Sequence, residues 1–217
     1  NGSDDILNIA IRSICDQGDT VAFPYPTYSL YEVLADLQGA RTVQVDFPED
    51  YSLPEGLLET GAKLVLLANP NAPTGTFVSP DEVKAFADRM DGVLLVDEAY
   101  GDFAEDDCLR LVQTCPNVIV SRTLSKSYSL AGLRFGYAIA QEPLIDGLMK
   151  AKDSYNVDAL TAAGAAAAIR DQEWLRQNVE RIQATRERMT NELNVFGFEC
   201  MPSQSNFVLA RAPGGMD

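Results

Sequence analysis

Residues 63–97 read KLVLLANPNAPTGTFVSPDEVKAFADRMDGVLLVD, and this stretch decides the fold. Lys63–Ala68 and Val93–Val96 are apolar at nearly every position, as expected for strands covered on both faces. Between them Ser79-Pro80-Asp81-Glu82 starts a helix over Pro80–Met90. Ser79 is placed as N-cap, proline falls in the first turn, and the acids lie near the positive end of the helix.

Outward from this unit the alternation continues. Thr20–Phe23, Arg41–Val45, Asn117–Val120 and Phe135–Ala140 read as further strands, and Asp5–Gln17, Tyr28–Gln38 and Leu130–Leu133 as helices. Alternating strand and helix implies an α/β fold, a three-layer αβα sandwich with a mostly parallel sheet. After Gln141 the pattern turns helical. Pro143–Lys152 and the alanine-rich Ala159–Arg170 precede a long amphipathic helix over Gln172–Phe196, with Leu175, Val179, Ile182, Met189, Leu193 and Phe196 on one face. Phe207–Arg211 is a last strand candidate. This divides the chain into a large α/β domain with a helical connection, residues 1–171, and part of a smaller domain, residues 172–217.

Composition excludes several classes. The 217 residues carry 17 basic and 32 acidic side chains, a formal net charge of −15, which disfavours nucleic acid or an anionic membrane as partner. There is no histidine, so a histidine-based triad and histidine-bound zinc are ruled out, and no metal site is expected. Cys15, Cys108, Cys115 and Cys200 form no CxxC pair and read as free thiols of a reducing compartment, the cytosol.

The chemistry-bearing residues fall where strands end. Lys126 lies in Ser121–Lys126 (SRTLSK), just past a strand, flanked by hydroxyls and followed by Arg134. That is a phosphate cradle beside an amine, or else a surface lysine in a serine-rich loop. Asp97 ends a buried strand, where a carboxylate needs a cationic partner or caps the next helix. Asn69–Gly75 (NPNAPTG) makes a rigid loop at the same edge. Gly2-Ser3-Asp4-Asp5 feeds a helix N-terminus, an anion site or a plain N-cap. Tyr25 and Tyr28 in PYPTY either stack on a flat ring or pack internally. Each signal is weak singly. Together they place a lysine, an anion cradle, a carboxylate, an asparagine and two aromatics at one sheet edge, a site suited to pyridoxal phosphate.

Here the chain resembles the class I/II aminotransferases of the aspartate aminotransferase fold, most closely the histidinol-phosphate aminotransferases. The resemblance rests on Asn1–Asp5 (NGSDD), Tyr25–Tyr31 (YPTYSLY), Asn69–Gly75, Val96–Phe103 (VDEAYGDF), Ser121–Tyr137 (SRTLSKSYSLAGLRFGY), Tyr155-Asn156-Val157 and Pro202–Leu209 (PSQSNFVL), in the family's order. It implies that Lys126 attaches the cofactor and shuttles a proton, and that Asp97 pairs with the ring nitrogen. It further implies that Tyr100 and Asn71 bond the phenolic oxygen and Tyr28 stacks on the ring. By the same resemblance Gly2, Ser3, Thr123, Ser125 and Arg134 are expected to hold the phosphate, with Asp4 beside them, and Tyr25 and Asn156 to face the substrate. The family often has asparagine before Pro-Thr-Gly, where this chain has Ala72.

The implied reaction is transfer of an amino group between histidinol phosphate and 2-oxoglutarate, giving imidazole-acetol phosphate and glutamate, in a cytoplasmic homodimer. Alternatives sharing the motifs are another class I/II aminotransferase, a threonine-phosphate decarboxylase-like enzyme, or a non-catalytic cofactor-binding sensor domain. Family chains continue past both ends of this one. The expectation is therefore a piece of the enzyme, without the upstream tyrosine that reaches a partner's cofactor phosphate or the downstream arginine that clamps the substrate carboxylate.

Overall fold

The apolar runs pair side by side in a computed structural model that describes residues 1–214. Six strands, β1 (Thr20–Tyr25), β2 (Arg41–Asp46), β3 (Leu64–Ala68), β4 (Val93–Asp97), β5 (Val118–Thr123) and β6 (Gly136–Ile139), form one sheet in the order β2-β1-β3-β4-β5-β6. Every pairing is parallel except β5 with β6.

Side chains alternate across a strand, so a strand that is apolar throughout must feed two cores. Leu64, Leu66, Leu95 and Ile119 pack with Leu7 and Ile11 of α1 (Ser3–Ile14), Tyr31 of α2 (Leu30–Gln38) and Leu148 of α4 (Glu142–Ala151). On the other face Val65, Leu67, Leu94, Val96 and Val120 pack with Val83 and Phe86 of α3 (Pro80–Ala87). That is the three-layer sandwich expected. α3 starts with the predicted Ser79 N-cap, and Glu82 closes it into a capping box: Ser79 Oγ accepts from Glu82 N at 3.3 Å, and Glu82 Oε2 accepts from Ser79 N at 3.0 Å.

α5 (Ala159–Arg170) and α6 (Gln172–Val195) follow, then a two-stranded ladder of β7 (Glu199–Cys200) and β8 (Ala210–Arg211). Three expectations change. The strand expected over Phe207–Arg211 exists only at Ala210–Arg211. Upstream of it Leu209 O still accepts from Met201 N at 2.8 Å, but Phe207 O is taken by Ser203 Oγ at 2.6 Å. Leu130–Leu133 is a single 3-10 turn over Ala131–Leu133, and α1 begins at Ser3 rather than Asp5. No helix among the described residues is long and apolar enough to cross a membrane.

Parallel strands put their carboxyl ends on one edge. The register aligns Ala68 with Asp97 and Asp97 with Ser121, so the loops after β3, β4 and β5 converge there.

Candidate active site

A cleft opens at that edge, and nine of the residues expected at a site line it: Ser3, Asp4, Tyr28, Asp97, Tyr100, Thr123, Ser125, Lys126 and Arg134. At its floor Asp97 ends β4 with 5% exposure. Its Oδ2 accepts from the Tyr31 hydroxyl at 3.0 Å, and its Oδ1 from Ser121 Oγ at 3.1 Å and Ala99 N at 3.2 Å. Burial pushes the Asp97 carboxyl above the usual carboxylate range, while these donors pull it back. Tyr31 is fully buried, and burial followed by Asp97 raises its phenol well above the usual value, so it stays a donor. Among the described residues no lysine or arginine pairs with Asp97. A buried anion held by three neutral donors suits a cationic ring nitrogen.

At the other end of the cleft the first turn of α1 meets Arg134. α1 starts at Ser3 behind Gly2, and no side chain caps its first-turn N–H groups. Of the two readings left open by the sequence, the plain N-cap is present, with Gly2 in the cap position and no side-chain acceptor. Arg134 faces this helix end in the left-handed backbone region, φ 52°. Its Nη2 donates to Asp4 Oδ2 at 3.3 Å and Asn1 O at 3.1 Å, and its carbonyl accepts from Gly2 N at 2.8 Å. Gly2 has φ 76°, and a Cβ there would stand 2.8 Å from Arg134 Nη2. Only glycine lets the guanidinium lie so close. The Thr123 hydroxyl sits 2.9 Å from Ser125 Oγ on the same side.

Between the ends, Lys126 Nζ lies 5.2 Å from the centre of the Tyr100 ring. Phe207 meets the same ring edge-on at 5.1 Å. Tyr28, three residues before Tyr31, packs on it at 5.7 Å and donates to Asp4 Oδ1 at 3.3 Å. A flat, cationic heterocycle with an anionic arm and an amine-reactive carbon matches this set of groups.

Four expected residues lie off the cleft wall. Gly2 sits behind it, against Arg134. Asn71 is buried and ties its loop to the segment after β1: Nδ2 donates to Pro26 O at 3.0 Å and Thr74 Oγ1 at 2.9 Å, and Oδ1 accepts from Thr27 Oγ1 at 2.7 Å. Ala72 lines the cleft instead. Tyr25 is 50% exposed at the end of β1, and Asn156 Oδ1 accepts from Lys152 Nζ at 3.3 Å. Sequence reading missed Tyr31, Ser121 and Phe207. The helix expected over Tyr28–Gln38 begins at Leu30, so Tyr28 precedes it and only Tyr31 of the two lies on its buried side.

Residues 1–214 match the family model described as aminotransferase class I and II. The chain belongs to that family. Curated relatives include the histidinol-phosphate aminotransferases of Rhodopirellula baltica, 48% identical over 99% of this chain, and Geotalea daltonii, 45% identical over 98%. This aminotransferase-family chain spans 60% and 61% of those two relatives. Among solved structures, histidinol-phosphate aminotransferase from Sinorhizobium meliloti in complex with pyridoxal-5'-phosphate superimposes with TM-score 0.89 at 32% identity, over 95% of this chain and 59% of that one.

Proposed function

We propose that the protein containing this chain carries out pyridoxal-phosphate-dependent transamination between histidinol phosphate and 2-oxoglutarate. One observation carries the reading: the buried, cation-free Asp97, the Lys126 amine and the Arg134–α1 anion cradle all face one cleft. The names and identities of the relatives support the substrate.

When bound, pyridoxal phosphate supplies an aldehyde for amine chemistry and a protonated ring that accepts the electron pair left when the substrate α-proton departs. Asp97 holds the proton at the ring nitrogen, and Tyr31, Ser121 and the Ala99 amide orient its carboxylate. Lys126 would provide the attachment amine and, as a free amine, would carry the substrate α-proton. Tyr100 stands beside Lys126 with its hydroxyl proposed for the ring's phenolic oxygen, and Tyr28 stacks on the ring. Ser3, Thr123, Ser125 and Arg134 hold the phosphate, with Gly2 giving the guanidinium room. Asn71 serves by holding the loop that presents Ala72. Tyr25 and Asn156 are assigned to the substrate side.

A homodimer is part of this proposal, supported by exposed apolar side chains at Tyr155, Val157 and Leu160. A cytoplasmic setting is supported by four free thiols, three of them buried. Glutamate formation from histidinol phosphate and 2-oxoglutarate by the full-length protein tests the function. Turnover of an unphosphorylated amino acid with none of histidinol phosphate would overturn the substrate.

A further inference from the structure

Behind the cleft lies a second set of polar groups, each a near neighbour in sequence of a cleft residue. Glu98 follows Asp97, Asp102 comes two after Tyr100, Arg122 precedes Thr123, and Ser127 follows Lys126. Strand alternation explains the separation at Arg122-Thr123 within β5: one residue faces the cleft and its neighbour faces away. Arg122 is the hub. Its Nη2 and Nε donate to Glu98 Oε2 at 2.7 and 2.9 Å, its Nη1 to Asp102 Oδ1 at 2.8 Å, and its Nη2 also to Asp107 Oδ2 at 2.9 Å. Burial works against its charge, and the three carboxylates outweigh burial and raise its pKa. The far oxygen of Asp102 accepts the Ser127 hydroxyl.

Ser127 is 2% exposed and is held on its other side too. Its carbonyl accepts from Asn178 Nδ2 of α6 at 2.6 Å. The residue after Lys126 is thus fixed from the sheet through Asp102 and Arg122, and from α6 through Asn178. The turn is tight as well, with Ser129 at φ 56° and its amide donating to Lys126 O at 3.0 Å. An ion-pair network half sunk in protein is a poor source of net stability, because desolvation offsets most of the attraction. What such a network gives is one fixed arrangement.

We propose that Ser127 is a positioning residue, and that its clamping by Asp102 and Asn178 sets where the Lys126 amine sits in the cleft. This rests on the reading of Lys126 as the attachment site. A misplacement of about 1 Å at a reacting group costs on the order of 100-fold in rate. Ser127→Ala frees the side-chain clamp, and Asn178→Ala frees the carbonyl clamp from a half-buried helix position.

The test uses the full-length protein with added pyridoxal phosphate. It reads the rate at which Lys126 is trapped by borohydride, scored by peptide mass, and separately the non-covalent affinity for pyridoxal phosphate in a Lys126→Ala background. Ser127→Ala is expected to slow trapping roughly 10- to 100-fold and Asn178→Ala less, with the non-covalent affinity unchanged in both. Should Ser127→Ala lose its folded circular dichroism signal, Asn178→Ala decides alone. Unchanged trapping in a folded variant overturns the proposal. So does an equal loss of trapping and affinity, which would mean the whole cleft had collapsed. A wild-type protein that takes up no label at Lys126 would instead overturn the attachment role, and the positioning role with it.

Discussion

The Tyr31 hydroxyl donates to Asp97 Oδ2 at 3.0 Å, joining α2 to the end of β4 across 66 residues of sequence. This bond is buried, and it sets the direction in which the carboxylate faces the cleft. The tyrosine therefore supports the acid that the proposed chemistry depends on.

Tyr31→Phe keeps the ring packing and removes that donor. Loss of a hydrogen bond to a buried charged group costs about 1.5–3 kcal/mol. The variant should unfold at lower denaturant at neutral pH. The deficit should shrink toward acid, where Asp97 is protonated and needs the donor less. A deficit that is the same at all pH values would mean that the hydroxyl acts only through packing.

Asp97→Asn should separate stability from binding. Asp97 titrates above the ordinary carboxylate range when folded. Its contribution to stability is therefore complete below the ordinary range and is lost as pH rises through the folded value. Without cofactor, the asparagine variant should melt at or above wild type at pH 8, with the difference vanishing in acid. Added pyridoxal phosphate should raise the melting temperature of wild type and barely move the variant, because only a ligand that binds the folded state stabilises it. An equal rise in both would remove Asp97 from the binding site.

Lys126→Ala should abolish the yellow, borohydride-reducible adduct and the turnover, while the cradle around Arg134 still binds the phosphate arm. A reducible adduct surviving in the variant, mapped to another lysine by peptide mass, would show that Lys126 is not the attachment point.

Asn71→Ala should behave as a structural lesion. The substitution leaves the part-buried Pro26 carbonyl and Thr27 hydroxyl without their partner, at about 1–3 kcal/mol for groups left unpaired, while the Thr74 hydroxyl keeps its bond to Thr76 Oγ1. Thermal unfolding should show this loss, and saturating pyridoxal phosphate should leave the size of the deficit unchanged. A normal melting temperature with weakened cofactor binding would return Asn71 to the ring contact that the resemblance implied.

The sequence by itself determined the sheet and the outline of the site. Runs such as Leu64–Ala68 and Val93–Asp97 can be satisfied only with cover on both faces, and that requirement is local. Lys126, Asp97 and Arg134 were legible because each follows or precedes a strand whose end is marked by hydroxyls, a carboxylate or a glycine turn. Tertiary structure decided what each of them touches. Tyr31 reaches Asp97, Gly2 meets Arg134, and Asn178 holds Ser127 because the strand order β2-β1-β3-β4-β5-β6 brings distant segments to one edge. Asn71 turned inward because a loop with two prolines has few amides of its own to satisfy its neighbours. The strand expected at Phe207 was cut short because the Ser203 hydroxyl took the Phe207 carbonyl that a ladder would have used. Periodicity along a chain reports how much of a segment is buried; which partner buries it depends on contacts that no local pattern encodes.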